Sequence, residues 1–165
     1  MRSVVSVAAM VVAALAVGCP HGGASGPATP GSAAATPKDV VDAARAALEQ
    51  WRQAYEVRSE DVLASLYEHD PDVVVVLEGA PLIGWGSVEA MLKDRLSRAD
   101  SLHVRLKDVQ VASLAPTVAL VTATMTREIQ GGATTVTENG TLTLVMKKQA
   151  DAWLIAAEHY SYKHP

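Results

Sequence analysis

Residues 152–165 read "AWLIAAEHYSYKHP". Apolar and polar residues alternate through it as in a strand, and Trp153, Ile155, Ala157, His159 and Ser161 share one parity and therefore one face. A strand that only completed a sheet could be built from Val, Ile and Thr, which fit a pleated, half-buried surface. A Trp, a His and a Ser on a single face predict instead that the strand lines a concave space, with His159 and Ser161 turned into it. A hydrogen-bonded core histidine is the alternative for His159, and an edge hydroxyl for Ser161.

Upstream, "SLHVRLKDVQVAS" (101–113), "TVALVTATMTREIQ" (117–130) and "TTVTENGTLTLVMKK" (134–148) predict three more strands, with hairpins at Ala115-Pro116, Gly131-Gly132 and Gln149–Asp151. The first of them changes phase. Leu102, Val104 and Leu106 alternate on one face, whereas Val109 and Val111 have the other parity, so a bulge near Lys107-Asp108 is expected to restore one buried face and bend the sheet.

Before the strands lie helices. Thr36, Pro37 and Asp39 form an N-cap, a first-turn proline and a first-turn acid ahead of "VVDAARAALEQWRQAYEV", in which Val41, Ala44, Leu48, Trp51 and Tyr55 make an apolar stripe. Ser59 opens a short second helix, ended by Asp70 and Pro71; "DVVVVLEGAPLIGW" predicts two strands joined at Glu78–Pro81; and Ser87 caps a third helix, "VEAMLKDRLSRA".

The first 18 residues carry one charge, Arg2, and then an apolar run that stops at Gly18, which is the pattern of a signal peptide rather than of the roughly 20 residues a bilayer span needs. "LAVGC" resembles the lipobox of bacterial lipoproteins, which implies lipidation of Cys19, the chain's only cysteine, and a membrane-anchored protein of the cell envelope facing periplasm or exterior. Residues 19–37 then form a Gly/Pro/Ala/Ser-rich tether and 38–165 the folded domain. Without residues 1–18 the chain holds 13 basic and 18 acidic residues, a balance that argues against a nucleic-acid partner.

Three helices followed by a long bent sheet resemble the cone-shaped α+β fold of the nuclear transport factor 2-like superfamily, which includes ketosteroid isomerase and the SnoaL-like proteins. "WRQAYEVRSEDVLASLY" is similar to its helix-loop-helix, "GWGSVEAML" to its third helix and "WLIAAEHYS" to its closing strand. The resemblance implies three N-terminal helices packed on a curved, mainly antiparallel sheet. It does not fix an activity, because the fold hosts many. Matched to ketosteroid isomerase, Trp51 takes the place of the catalytic tyrosine and Val75 that of the base, so steroid isomerisation by the usual route is not expected.

The candidate pocket comprises Trp51, Tyr55, Tyr67, Trp85, Arg127, Trp153, His159 and Ser161, with His159 as the candidate catalytic group and Arg127 as a possible receiver of a carboxylate. Arg127, Glu128 and Glu138 otherwise read as a solvated rim. No metal and no cofactor are expected: His21, His69, His103, His159 and His164 fall on separate segments, and no phosphate loop, nucleophile elbow or Cys-His pair occurs. The expected function is a tethered, non-catalytic module binding a small apolar ligand or a partner, with a small-molecule isomerase, dehydratase or hydrolase as the alternative. Thr122, Thr124, Thr126, Thr141 and Thr143 on the outer sheet face suggest a homodimer.

Overall fold

The structure, a computed structural model, describes residues 35–163. The expected signal peptide, Cys19, all but the end of the tether, and His164 lie outside them.

Helix α1 (Pro37–Glu56) starts where the local chemistry dictates. Thr36 and Asp39 form a reciprocal capping box, the Asp39 amide donating to Thr36 Oγ1 at 3.3 Å and the Thr36 amide to Asp39 Oδ2 at 2.9 Å. Its buried stripe runs through Val40, Ala44, Leu48, Trp51 and Tyr55, so Val40 and not Val41 begins it. Helix α2 (Glu60–Ser65) is capped by Ser59, whose side chain accepts from the Val62 amide. Strands β1 (Val74–Leu77) and β2 (Ala80–Ile83) are joined by Glu78 and Gly79, both left-handed at φ 51° and 79°, the conformation a two-residue hairpin turn requires. Helix α3 (Trp85–Arg98) begins two residues before the expected cap: Gly84 occupies the cap position and Ser87 sits in the first turn.

Strands β3 (Ser101–Ala115), β4 (Val118–Gly131), β5 (Thr134–Gln149) and β6 (Ala152–Lys163) complete one sheet in the order β2-β1-β6-β5-β4-β3. Every pairing is antiparallel except β1 with β6. The expected bulge in β3 is present: the register with β4 slips between Lys107 and Gln110, and Asp108 is left-handed at φ 52°.

A second bulge lies in β6. Val145 pairs with Ala157 but Met146 with Ile155, so Ala156 is an extra residue and side-chain parity reverses across it. The inner face runs Trp153, Ile155, then Glu158 and Tyr160, all buried, while His159 and Ser161 are exposed. The shared face expected for Trp153 and His159 is therefore corrected: one unpaired alanine moves the histidine and the serine outside and brings a glutamate in.

The chain contains no Phe. Its core consequently uses Tyr55, Tyr67 and Tyr160, each at most 1% exposed, beside Trp51, Leu142, Leu144 and Met146. Each buried ring contributes roughly 1.5–3 kcal/mol through apolar burial, and each brings a hydroxyl that must find a partner.

Candidate functional site

The largely apolar interior between α1, α3 and the sheet encloses a cluster of polar side chains. From α1, Trp51 and Tyr55 lie one turn apart with ring centroids 4.7 Å apart in an edge-to-face arrangement. Trp51 Nε1 donates to Tyr67 Oη at 3.0 Å, and Tyr67 Oη donates to Glu158 Oε2 at 2.5 Å. This chain of bonds is directional: the single indole proton serves Tyr67, and the single phenol proton serves the carboxyl.

Glu158 is 1% exposed and stands in the ladder between Val75 of β1 and Leu144 of β5, both fully buried. Burial between aliphatic neighbours raises its pKa above the ordinary 4.5, against the opposing pull of the Tyr67 hydrogen bond and of Arg95 and Arg127. Tyr67 is held well above its ordinary value by burial first and by Glu158 second, and Tyr55 is raised chiefly by burial. In the matched isomerase arrangement the base would stand at Val75; here the carboxyl is its ladder partner, one strand over.

Arg127 on β4 is 1% exposed. It faces Glu138 of β5 in register, and its Nε and Nη2 both donate to Glu138 Oε2, at 2.7 and 2.5 Å. Its guanidinium carbon lies 5.0 Å from the ring centroid of Tyr160 and 5.9 Å from that of Tyr162, which fixes the plane of the group. Tyr160 Oη donates to the Met125 carbonyl at 3.3 Å. Burial raises the Tyr160 hydroxyl to about 12.

Four buried side-chain atoms in this interior have no hydrogen-bond partner: Tyr55 Oη, Arg95 Nη1, Arg127 Nη1 and Glu158 Oε1. They come from α1, α3, β4 and β6, and their groups interact electrostatically: Tyr55 with Glu158, Arg95 and Arg127, and Glu158 with both arginines. Arg95 stands close enough to Tyr55 for a side-chain hydrogen-bond interaction to pull on both groups, although the contact falls short of a well-formed bond. A buried polar atom left unpaired costs about 1–3 kcal/mol, so each of these four calls for a partner, whether an ordered water or a bound ligand.

The model of the SnoaL-like domain matches residues 44–165. The chain belongs to the SnoaL-like family. Solved structures agree on the fold. A candidate dehydratase of the nuclear transport factor 2-like family from Streptomyces avermitilis is 23% identical, with 78% of this chain and 99% of that one covered and a TM-score of 0.71. A candidate aromatic ring hydroxylase from Novosphingobium aromaticivorans is 16% identical over 79% and 93% of the chains, at 0.70. A hexachlorocyclohexane dehydrochlorinase is 11% identical over 74% and 84%, at 0.63. Comparison with curated protein sequences gives no match.

Within this SnoaL-like cone the structure gathers four of the residues named from sequence: Trp51, Tyr55, Tyr67 and Arg127. The other four lie elsewhere. Trp85, half-buried at the start of α3, stacks on His69 with centroids 3.9 Å apart. Trp153 lines an open groove of about 580 Å³ with Ala47, Gln50 and Leu66. His159 and Ser161 face outward. The solvated rim expected of Arg127 and Glu138 is likewise corrected, since both are buried and paired to each other, whereas Glu128 is on the outer face with Arg105, 2.5 Å away.

Sequence reading missed Arg95, Glu138, Glu158, Tyr160 and Tyr162. Spacing does carry a signal for the charged ones. Arg95 lies seven residues after Val88 and three after Leu92, on the stripe that Val88, Leu92 and Leu96 bury. Arg127 shares the parity of Val121, Ala123 and Met125, and Glu138 that of Leu142, Leu144 and Met146. Among the described residues no three His, Cys, Asp or Glu side chains gather as metal ligands.

Proposed function

We propose that this SnoaL-like domain binds a small molecule inside the cone, in contact with Tyr55, Arg95, Arg127 and Glu158. The observation that carries the reading is the convergence of four unpaired, buried polar atoms from four separate elements. Apolar walls with a few placed polar groups are what small-molecule sites require, and Trp51, Val75 and Leu144 supply the walls. A thermal-shift screen of the full chain against small organic acids, phenols and ketones tests it. Hits are expected for the wild type and are lost in Tyr55→Phe; an inert wild type, or hits that survive that substitution, would refute the reading.

The same proposal places the protein in the cell envelope as a lipid-anchored homodimer. Support for the anchor is the "LAVGC" sequence at residues 15–19, and for the dimer the threonine-rich outer face of β4 and β5. Cys19→Ser is expected to move the protein from the membrane to the soluble envelope fraction, and sedimentation at micromolar concentration to give twice the monomer mass. Equal partitioning of mutant and wild type, or a lone monomer, would remove the respective part.

One observation favours a catalytic reading as well: a buried carboxyl with a raised pKa, bonded to a phenol, is a group suited to proton transfer. In that reading Glu158, not His159, moves the proton in an isomerase- or dehydratase-type reaction, Tyr67 positions it, and Tyr55 and the two arginines stabilise negative charge that develops on the substrate. Glu158→Gln would then abolish turnover while retaining binding.

A further inference from the structure

We propose that the ligand of the cone is a small organic anion whose carboxylate is seated between Arg95 and Arg127. The inference rests on the small-molecule reading above and names its ligand class. Of the four unpaired atoms, three belong to donors, Tyr55 Oη, Arg95 Nη1 and Arg127 Nη1, and two of those carry formal charge. A neutral carbonyl could accept from two of them through its lone pairs but would leave the positive charge of the guanidinium groups unmatched. A carboxylate offers two oxygens with lone pairs in the plane that a guanidinium fork recognises.

Charge points the same way. Two arginines meet two acids in the interior, but Glu138 spends one oxygen, Oε2, on both of its bonds to Arg127, and Glu158 spends one on Tyr67. Burial pushes Glu158 toward its neutral form, and with Glu158 protonated the cluster of Arg95, Arg127, Glu138 and Glu158 carries one positive charge in excess. A buried charge in excess is costly until a counter-charge arrives. Geometry prepares for that arrival: Glu138 on one edge and the Tyr160 and Tyr162 rings across its face hold Arg127 in place while Nη1 stays unbonded. A donor already oriented loses little freedom on binding.

The test titrates the full chain with matched pairs, acetate and acetamide, cyclohexanecarboxylate and its amide, benzoate and benzamide, at pH 7 and constant ionic strength. The Trp51 indole NH resonance and the melting temperature are the two readouts. At least one carboxylate is expected to shift both and to bind about ten- to a hundredfold more tightly than its amide, the factor that one or two charge-assisted hydrogen bonds supply. Arg95→Met should remove at least about tenfold of that preference, weakening the carboxylate more than its amide. Should Arg95→Met fail to fold, Arg95→Lys, which keeps a point charge but not the fork, should retain only part of the preference. An amide that matches its carboxylate, or a preference untouched in Arg95→Met or Arg95→Lys, would overturn the anion and leave the cone site standing. If no member of either series shifts Trp51, the anion and the small-molecule reading fall together.

Discussion

Tyr67 and Glu158, 91 residues apart in the chain, are joined by a 2.5 Å hydrogen bond in the fully buried interior. The phenol is at once the acceptor for Trp51 and the donor to the carboxyl, so one side chain holds together α1, the segment after α2 and β6. Tyr67→Phe keeps the ring and removes both bonds. It should destabilise the domain by about 2–4 kcal/mol, because a buried indole NH and a buried carboxyl lose partners together. Urea denaturation would show this as a lower midpoint at unchanged slope; a loss below about 0.5 kcal/mol would mean the bond is not formed.

Glu158 makes stability pH-dependent in an identifiable direction. Its folded pKa is raised above the ordinary 4.5, so the folded state binds the proton more tightly than the unfolded chain. The contribution is full below about pH 4.5 and is lost as pH rises through the folded value. The groups facing it are Tyr55 from α1, Tyr67, Arg95 from α3, and Arg127 from β4. Glu158→Gln should therefore gain on wild type in melting temperature as pH rises from about 4.5 and level off above the folded value, and a difference between the two that is flat throughout would contradict the buried carboxyl.

Three glycines should respond differently to alanine. A Cβ on Gly140 would meet the Ser161 carbonyl oxygen at 1.9 Å, so β5 and β6 must separate locally. Gly140→Ala is expected to cost about 3 kcal/mol or more, at or beyond the top of the range for overpacking, because the obstacle is backbone. Gly79→Ala has open space but a left-handed backbone at φ 79°, and should cost about 1 kcal/mol. Gly86→Ala, in the first turn of α3 with nothing within 4 Å, should gain up to about 0.5–1 kcal/mol. Thermal melts of the three variants would rank them.

His159→Ala should change little. The side chain is exposed on the outer face, and its removal is expected to alter stability by less than about 0.5 kcal/mol and to leave binding in the cone intact. Loss of cone binding in this variant would place the site elsewhere.

The two bulges differ in how they can be read. In β3 the apolar residues themselves change parity, from Leu102, Val104 and Leu106 to Val109 and Val111, and the sequence announces the irregularity. In β6 both parities hold apolar or aromatic residues, Trp153 and Ile155 on one and Tyr160 and Tyr162 on the other, with the small Ala156 and Ala157 at the change-over, so an unbroken strand looks consistent. Only the pairing of Ile155 with Met146 and of Ala157 with Val145 exposes the slip. The caps at Thr36 and Ser59 and the hairpin turns were legible because they rest on local chemistry, whereas the cap of α3 at Gly84 and the non-local pairing of β1 with β6 were not. Glu158, Glu138 and Arg95 were not legible as site residues, because a charged residue taken alone is far more often solvated than buried, and burial here depends on the other members of the cluster.

The position of β6 sets the order in which this protein can become functional. β3, β4 and β5 pair with chain neighbours, and β1 with β2, so both blocks can form from local contacts. They meet only through β6, whose parallel register with β1 joins Val74 to Ala157 across more than 80 residues. Closing so long a loop is entropically the most demanding contact in the sheet. Glu158 rides on that same strand. The interior site therefore does not exist in any partly folded species that lacks β6, and the step that completes the sheet is also the step that creates a place for the ligand. A ligand held there would slow the departure of β6 and so lengthen the lifetime of the native state.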